Sequence, residues 1–234
     1  MERKIYGIFV AGGQGTRMGS SMPKQFLLLD GLPVLQRSIQ RFVDACPDIK
    51  IITVLPREHF SLWNSLCLEH HLDCPQKLVE GGITRFHSVK NALEHVPDGA
   101  IVSVHDGVRP LVSESLIRNM LLQMETCGAL IPVLPATDTL KALEPSADGS
   151  LVHCAGPDPD RSRVYCAQTP QMFRSELIKD AYRQGFDTAF TDDASVLAKR
   201  KTPLSYTIGE RLNIKITTPE DLVLAKAILS SFPF

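Results

Sequence analysis

Short apolar runs alternate along the chain with stretches of helical periodicity, and polar, glycine-rich loops separate them. Ile5–Val10 (IYGIFV) is β-branched and aromatic and stops at Ala11-Gly12-Gly13, which predicts a buried strand feeding a loop. Val34, Leu35, Ser38, Ile39, Phe42 and Val43 then recur on one helical face. The alternation continues through strands predicted over 49–55, 77–80, 100–104 and 129–134. Helices are predicted over 57–70 and 84–96, and from the N-cap Ser113 through 125. Strands alternating with helices predict a mostly parallel sheet covered on both faces, an α/β fold in three layers. The loops at 11–24, 81–85 and 105–110 each follow a strand. Parallel sheets bind ligands at the carboxyl ends of their strands, so these loops are expected to converge.

The rhythm breaks after Pro135. Residues 136–167 include Pro145, Gly149, Gly156, Pro157 and Pro159, with strand-like pieces at 139–143 and 164–166. A structureless stretch of that length is uncommon inside a compact domain. It reads as a projecting β-arm of a single domain spanning 1–234, packed against a twin subunit. A helix near Glu176, another over 193–200, a strand over 212–216 and a final helix close the chain. Thr218 is the expected N-cap of that helix, with Pro219 at N1.

Composition narrows the function classes. The 234 residues are 44% hydrophobic and 22% charged, which suits one domain with a substantial core. Basic and acidic residues nearly cancel, 25 against 26, so there is no general basic excess of the kind that binds nucleic acid. Any phosphate site must be a local gathering of cations. The six cysteines form no C-x-x-C pair and fit no zinc spacing. Residues 1–10 do not read as a secretory signal, and no apolar run reaches membrane-spanning length. A soluble, cytoplasmic protein is the expectation.

The densest chemical signal is A-G-G-Q-G-T-R-M-G-S-S-M-P-K, Ala11 through Lys24. Gly12, Gly13 and Gly15 let backbone N–H groups approach an anion, and Arg17 and Lys24 add two cations. Together they read as a triphosphate cradle. The loop is not a Walker A motif, which needs Lys-Ser or Lys-Thr after its last glycine, and Met18 stands where a dinucleotide fingerprint needs its third glycine.

This segment resembles the nucleotidyltransferase signature, in its cytidylyltransferase version. Matching segments run nearly the whole length: E-G-G-I-T-R-F-H-S-V from Glu80, V-H-D-G-V-R-P from Val104, D-T-L-K from Asp138, Q-T-P-Q-M-F from Gln168, T-D-D-A from Thr191 and N-I-K-I-T from Asn213. The ordered set is similar to the 2-C-methyl-D-erythritol 4-phosphate cytidylyltransferase family, with ribitol-5-phosphate cytidylyltransferase a close relative. The resemblance implies a Rossmann-like nucleotidyltransferase fold. The implied reaction is attack of a substrate phosphate oxygen on the α-phosphorus of CTP, with release of pyrophosphate. The partners implied are CTP and a small polyol phosphate, and the cofactor Mg²⁺, carried mainly on the CTP phosphates.

By the same resemblance, Arg17 and Lys24 stabilise charge at the α-phosphate. Ala11, Gly12, Gly13, Gly15, Gly81, Gly82 and Ser88 hold the nucleotide, and Asp106 meets the ribose, with metal contact a weaker option. Thr139, Arg161, Thr169 and Lys215 form the acceptor site. Arg161 and Lys215 grip the attacking phosphate, a role that suits a bidentate guanidinium and a point-charge ammonium. Thr139 and Arg161 lie on the arm, which in the family crosses a homodimer. Arg109 reads equally as acceptor ligand or loop-holding ion pair, Arg85 as a structural cap of its loop, and Asp192-Asp193 as helix capping. Ile83 departs from the acidic residue common at its position in the family. Ribitol 5-phosphate as acceptor, and a non-catalytic nucleotide-binding module, are the competing readings.

Overall fold

The computed structural model describes residues 3–13 and 22–231. From the N-terminus, β1 (Ile5–Val10) is followed by a small antiparallel ladder of β2 (Leu28–Leu29) and β3 (Leu32–Pro33). Then come α1 (Val34–Ala45), β4 (Lys50–Leu55), α2 (Phe60–Glu69), β5 (Gln76–Glu80), α3 (Arg85–Leu93), β6 (Ile101–Asp106), α4 (Glu114–Gln123) and β7 (Ala129–Pro135). The arm carries β8 (Leu143–Pro145) and β9 (Leu151–His153). After it follow β10 (Tyr165–Ala167), β11 (Gln171–Arg174), α5 (Ser175–Ala181), α6 (Asp193–Lys199), β12 (Ser205–Ile208) and α7 (Pro219–Ser231).

The main sheet runs β10-β7-β11-β6-β1-β4-β5, with β12 parallel to β7. The block β6-β1-β4-β5 is wholly parallel, whereas β11 and β10 pair antiparallel with their neighbours. The sheet is therefore mixed, with its parallel part where the repeating strand–helix pattern lies.

Alternation along the strands builds the layers. Ile8, Ile52, Val54, Val102 and Val104 pack with Phe86 of α3, Ile178 of α5 and Leu197 of α6. Their neighbours Phe9, Ile51, Leu55 and Ile101 point the other way, toward Phe42 of α1, Trp63 of α2 and Ile117 of α4. Phe9, Phe42 and Trp63 are fully enclosed, and each such side chain contributes roughly 1.5–3 kcal/mol of burial. A third cluster seats α7 against Val108, Leu111 and Ile216.

Three expectations are corrected. Residues 212–216 form no strand: Leu212, Ile214 and Ile216 turn their alternating apolar faces into the α7 cluster instead of a ladder. The strand of that region lies earlier, at β12. Within the arm, 139–143 is not extended ladder. The hairpin forms one step later as β8 and β9, reversing at Gly149, whose φ of +83° suits glycine. Finally, β11 was absent from the predicted strands, yet it lies between β6 and β7 and is buried over three of its four residues. The expected start of α7 is present: the helix begins at Pro219, which puts Thr218 at the N-cap position, and Asp221 in the first turn accepts from the N–H groups of Thr217 and Thr218 at 2.8 and 2.9 Å.

Candidate active site

The chain runs from β1 outward through β4 and β5, then crosses back so that β6 lies on the other side of β1. That reversal opens a crevice at the carboxyl ends of β1 and β6, the place where such sheets take ligands. A cavity of about 340 Å³ lies there, lined by Ala11, Gly12, Gly13, Lys24, Gly82, Ser88, Asp106 and Lys215, among others. Three loops expected to meet do meet. Gly15 and Arg17 lie outside the described residues.

Lys24 sits at the start of a 3-10 turn, Lys24–Phe26, that follows Pro23. The next residue, Gln25, is buried and donates from Nε2 to the carbonyl of Ala11 at 2.8 Å, tying the turn to the end of β1. Sequence reasoning missed Gln25; a glutamine beside an apolar run, next to an expected site lysine, was the available signal. A methyl group added at Gly13 would meet no described protein atom within 4 Å. Packing among the described residues therefore does not explain the bare backbone at that point.

The turn after β5 is shaped differently. Thr84 caps α3. The Ser88 hydroxyl accepts from the N–H of Gly82 at 3.1 Å and donates to the carbonyl of Thr84 at 3.1 Å. A Cβ at Gly82 would fall 2.3 Å from His87 Cβ and 3.0 Å from its carbonyl carbon, so only glycine fits. Ile83, at the rim, is 95% exposed.

Asp106 is the electrostatic hub. It ends β6, is nearly buried, and faces Lys215 Nζ at 2.9 Å, Arg109 Nε at 3.4 Å and Arg85 Nε at 3.6 Å. Burial alone would raise its carboxyl, but Arg85, Lys215 and Arg109 outweigh that and hold it well below the usual carboxylate range. It is the only carboxylate among the described lining residues, against the cations Lys24, Arg85 and Lys215. The cavity thus carries a local positive excess in a chain of nearly balanced charge. Of the two readings for Arg109, the ion pair is present: besides Asp106, its Nη1 donates to the carbonyl of Asn213 at 2.8 Å.

Thr169 stands behind this hub. Its buried hydroxyl accepts from the N–H of Asp106 at 3.0 Å and lies 3.1 Å from His105 Nδ1. His105 Nε2 lies 3.0 Å from the carbonyl of Arg109. His105 is fully enclosed beside Phe9 and Phe42, and burial pushes its imidazole down to about 4. It is a neutral hydrogen-bonding residue that ties β6 to the following loop.

Arg85 reaches further than a loop cap. Its Nη2 donates to Asp193 Oδ2 at 2.7 Å, and Asp193 Oδ1 accepts from the Tyr182 hydroxyl at 2.5 Å. Capping of α6 falls to Asp192, whose carboxylate accepts from the N–H of Ser195 at 2.8 Å. Thr139 and Arg161 do not line the cavity. Both are exposed on the arm, and Arg161 Nη1 donates to the carbonyl of Thr137 at 3.0 Å.

A second, larger groove of about 850 Å³ lies along β7, β12 and α6 and is lined by none of the expected site residues. The described residues contain no cluster of three His, Cys, Asp or Glu side chains able to hold a metal ion. Asp106, the carboxylate offered for that role, is already matched to three cations and does not fit a resident metal.

Comparison with known proteins places these features in context. Residues 5–231 match the family model described as 2-C-methyl-D-erythritol 4-phosphate cytidylyltransferase. Curated proteins of that name from Porphyromonas gingivalis W83 and Bacteroides fragilis are similar to this chain. The first is 46% identical, with 99% of this chain and 100% of that protein covered. The second is 44% identical, with 95% and 98% covered. Among solved structures, the 4-diphosphocytidyl-2C-methyl-D-erythritol synthase from Anaerococcus prevotii superposes with a TM-score of 0.78 at 28% identity, covering 97% of this chain and 99% of that one.

Proposed function

This chain belongs to the 2-C-methyl-D-erythritol 4-phosphate cytidylyltransferase family, and from that premise we propose how its residues divide the work. The activity is transfer of CMP from CTP to 2-C-methyl-D-erythritol 4-phosphate, a nucleotidyl transfer in isoprenoid biosynthesis. The relatives favour this acceptor over ribitol 5-phosphate, and an enzyme over a non-catalytic binding module.

Such a transfer needs no covalent nucleophile from the protein. It needs two anions brought into line and the spreading negative charge neutralised. The backbone of Ala11, Gly12 and Gly13, with Gly15, cradles the triphosphate. Lys24 and Arg17 neutralise charge at the α-phosphate as the acceptor phosphate attacks and pyrophosphate leaves. Gly81, Gly82 and Ser88 hold the cytosine, and Asp106 accepts from the ribose hydroxyls. Lys215 aims the acceptor phosphate. A divalent cation such as Mg²⁺ would screen the triphosphate, held by the nucleotide's own oxygens rather than by a cage in the chain.

The observation that carries this reading is the gathering of Lys24, Arg85 and Lys215 in one cavity at the sheet's reversal point, where Asp106 is the single described carboxylate. Thr139 and Arg161 enter through a homodimer in which the arm reaches the partner's cavity. Their absence from the cavity of their own chain, and the exposed Leu143, Leu151 and Val152 on the hairpin, support that arrangement. No helix among the described residues is long and apolar enough to cross a membrane, which accords with a cytoplasmic enzyme. Pyrophosphate release measured with CTP, UTP or ATP against methylerythritol phosphate or ribitol phosphate tests the reading. Turnover with CTP and methylerythritol phosphate alone is expected; turnover confined to another pair would overturn it.

A further inference from the structure

Arg85 is held between two carboxylates from distant parts of the chain. Asp106 ends β6 and lines the cavity. Asp193 begins α6 on the far side and is fully buried. The two contacts are unequal: 2.7 Å from Nη2 to Asp193, 3.6 Å from Nε to Asp106. The guanidinium is therefore anchored from behind, with its Nε edge left toward the cavity.

The anchor is itself braced. Tyr182 donates its hydroxyl to the second oxygen of Asp193 at 2.5 Å, and its ring stacks on Phe86 at 4.7 Å between centroids. Gln171 of β11 fixes the start of α6, donating to Asp192 at 2.8 Å and accepting from the N–H of Ala194 at 2.9 Å. A buried carboxylate with two oriented partners holds a planar guanidinium in one rotamer. Removing its charge leaves the arginine free to swing onto Asp106, where Lys215 and Arg109 already compete.

We propose that Asp193 and Tyr182 are positioning residues for the nucleotide site, acting through Arg85 to fix how one cation is presented beside Asp106. The inference rests on the CTP reading of the cavity. Its readout is equilibrium CTP affinity, which needs no turnover, so the two can fail separately.

The test is a double-mutant cycle on the full-length protein, with CTP binding measured by calorimetry and unfolding followed in parallel. Asp193→Asn and Arg85→Gln are each expected to weaken CTP binding about tenfold, and the double variant no more than Arg85→Gln alone, because both changes break one linkage. Tyr182→Phe keeps the ring stack and should weaken binding about threefold with its melting temperature close to wild type. In turnover, Asp193→Asn should raise the KM for CTP more than that for the acceptor. Unchanged CTP affinity in both Asp193→Asn and Tyr182→Phe would overturn the proposal, as would fully additive losses in the cycle. Should Asp193→Asn fail to fold, the Tyr182→Phe affinity decides alone.

Discussion

Lys215 Nζ stands 2.9 Å from Asp106 Oδ2, so the lysine assigned to the acceptor phosphate is paired with the carboxylate assigned to the ribose. One charge thus orders both halves of the cavity. The acceptor's phosphate must compete with Asp106 for the ammonium, and a dianion with three terminal oxygens is well suited to do so.

Lys215→Ala is therefore expected to lower kcat/KM for the acceptor about a hundredfold or more, equivalent to ~3 kcal/mol of transition-state stabilisation. Stability should change by less than about 1 kcal/mol, since the side chain is 42% exposed and Asp106 keeps two arginines. Initial rates across both substrates check this; unaltered turnover would remove Lys215 from the chemistry.

Subunit mixing addresses the arm. In the proposed homodimer, Lys24→Ala would disable the cavity of its own chain and Arg161→Ala the cavity its arm serves. After exchange of equal amounts, half the dimers are mixed, and each holds one intact site. About a quarter of wild-type activity should return. If the mixture stays as inactive as its parents, the sites are built within single chains.

Acidification should act through His105. The unfolded chain binds a proton on this residue near its ordinary value of 6.5, while the folded protein resists until about 4. Between those values the unfolded state binds more protons, so stability falls as pH drops, by up to about 3 kcal/mol from this residue. Urea unfolding of wild type and His105→Asn at pH 7 and pH 4.5 isolates the contribution. The variant should be less stable at pH 7 and show a shallower loss on acidification; an identical slope would contradict the assignment.

Thr169→Val separates two roles. If the hydroxyl chiefly holds Asp106 and His105, as its two contacts indicate, the variant loses about 1–3 kcal/mol of stability from unpaired buried groups. Its KM values for both substrates would then shift together. A selective rise in acceptor KM at unchanged stability would instead assign Thr169 to direct acceptor contact.

The parallel half of the sheet was legible because β1, β4 and β6 are nearly continuous apolar runs, each ending in a polar loop. The strand β11 was not, since four residues (QMFR) following a proline carry too little pattern to distinguish a buried strand from a turn. Over 212–216 the alternation was real but reported packing on a helix rather than pairing in a sheet. Among site residues, the glycine-rich loop and Asp106 stood out through local spacing. The partnership of Arg85 with Asp193 did not, because 108 positions separate them and each has a plausible local task as a cap.

The crowding at Gly82 bears on attempts to redirect base choice. A side chain there collides first with His87 in the protein, so a library randomised at position 82 would return misfolded clones rather than altered specificities. Ile83, which stands in open solvent one residue along, can be exchanged without disturbing the helix beneath it, and is where an engineer would begin.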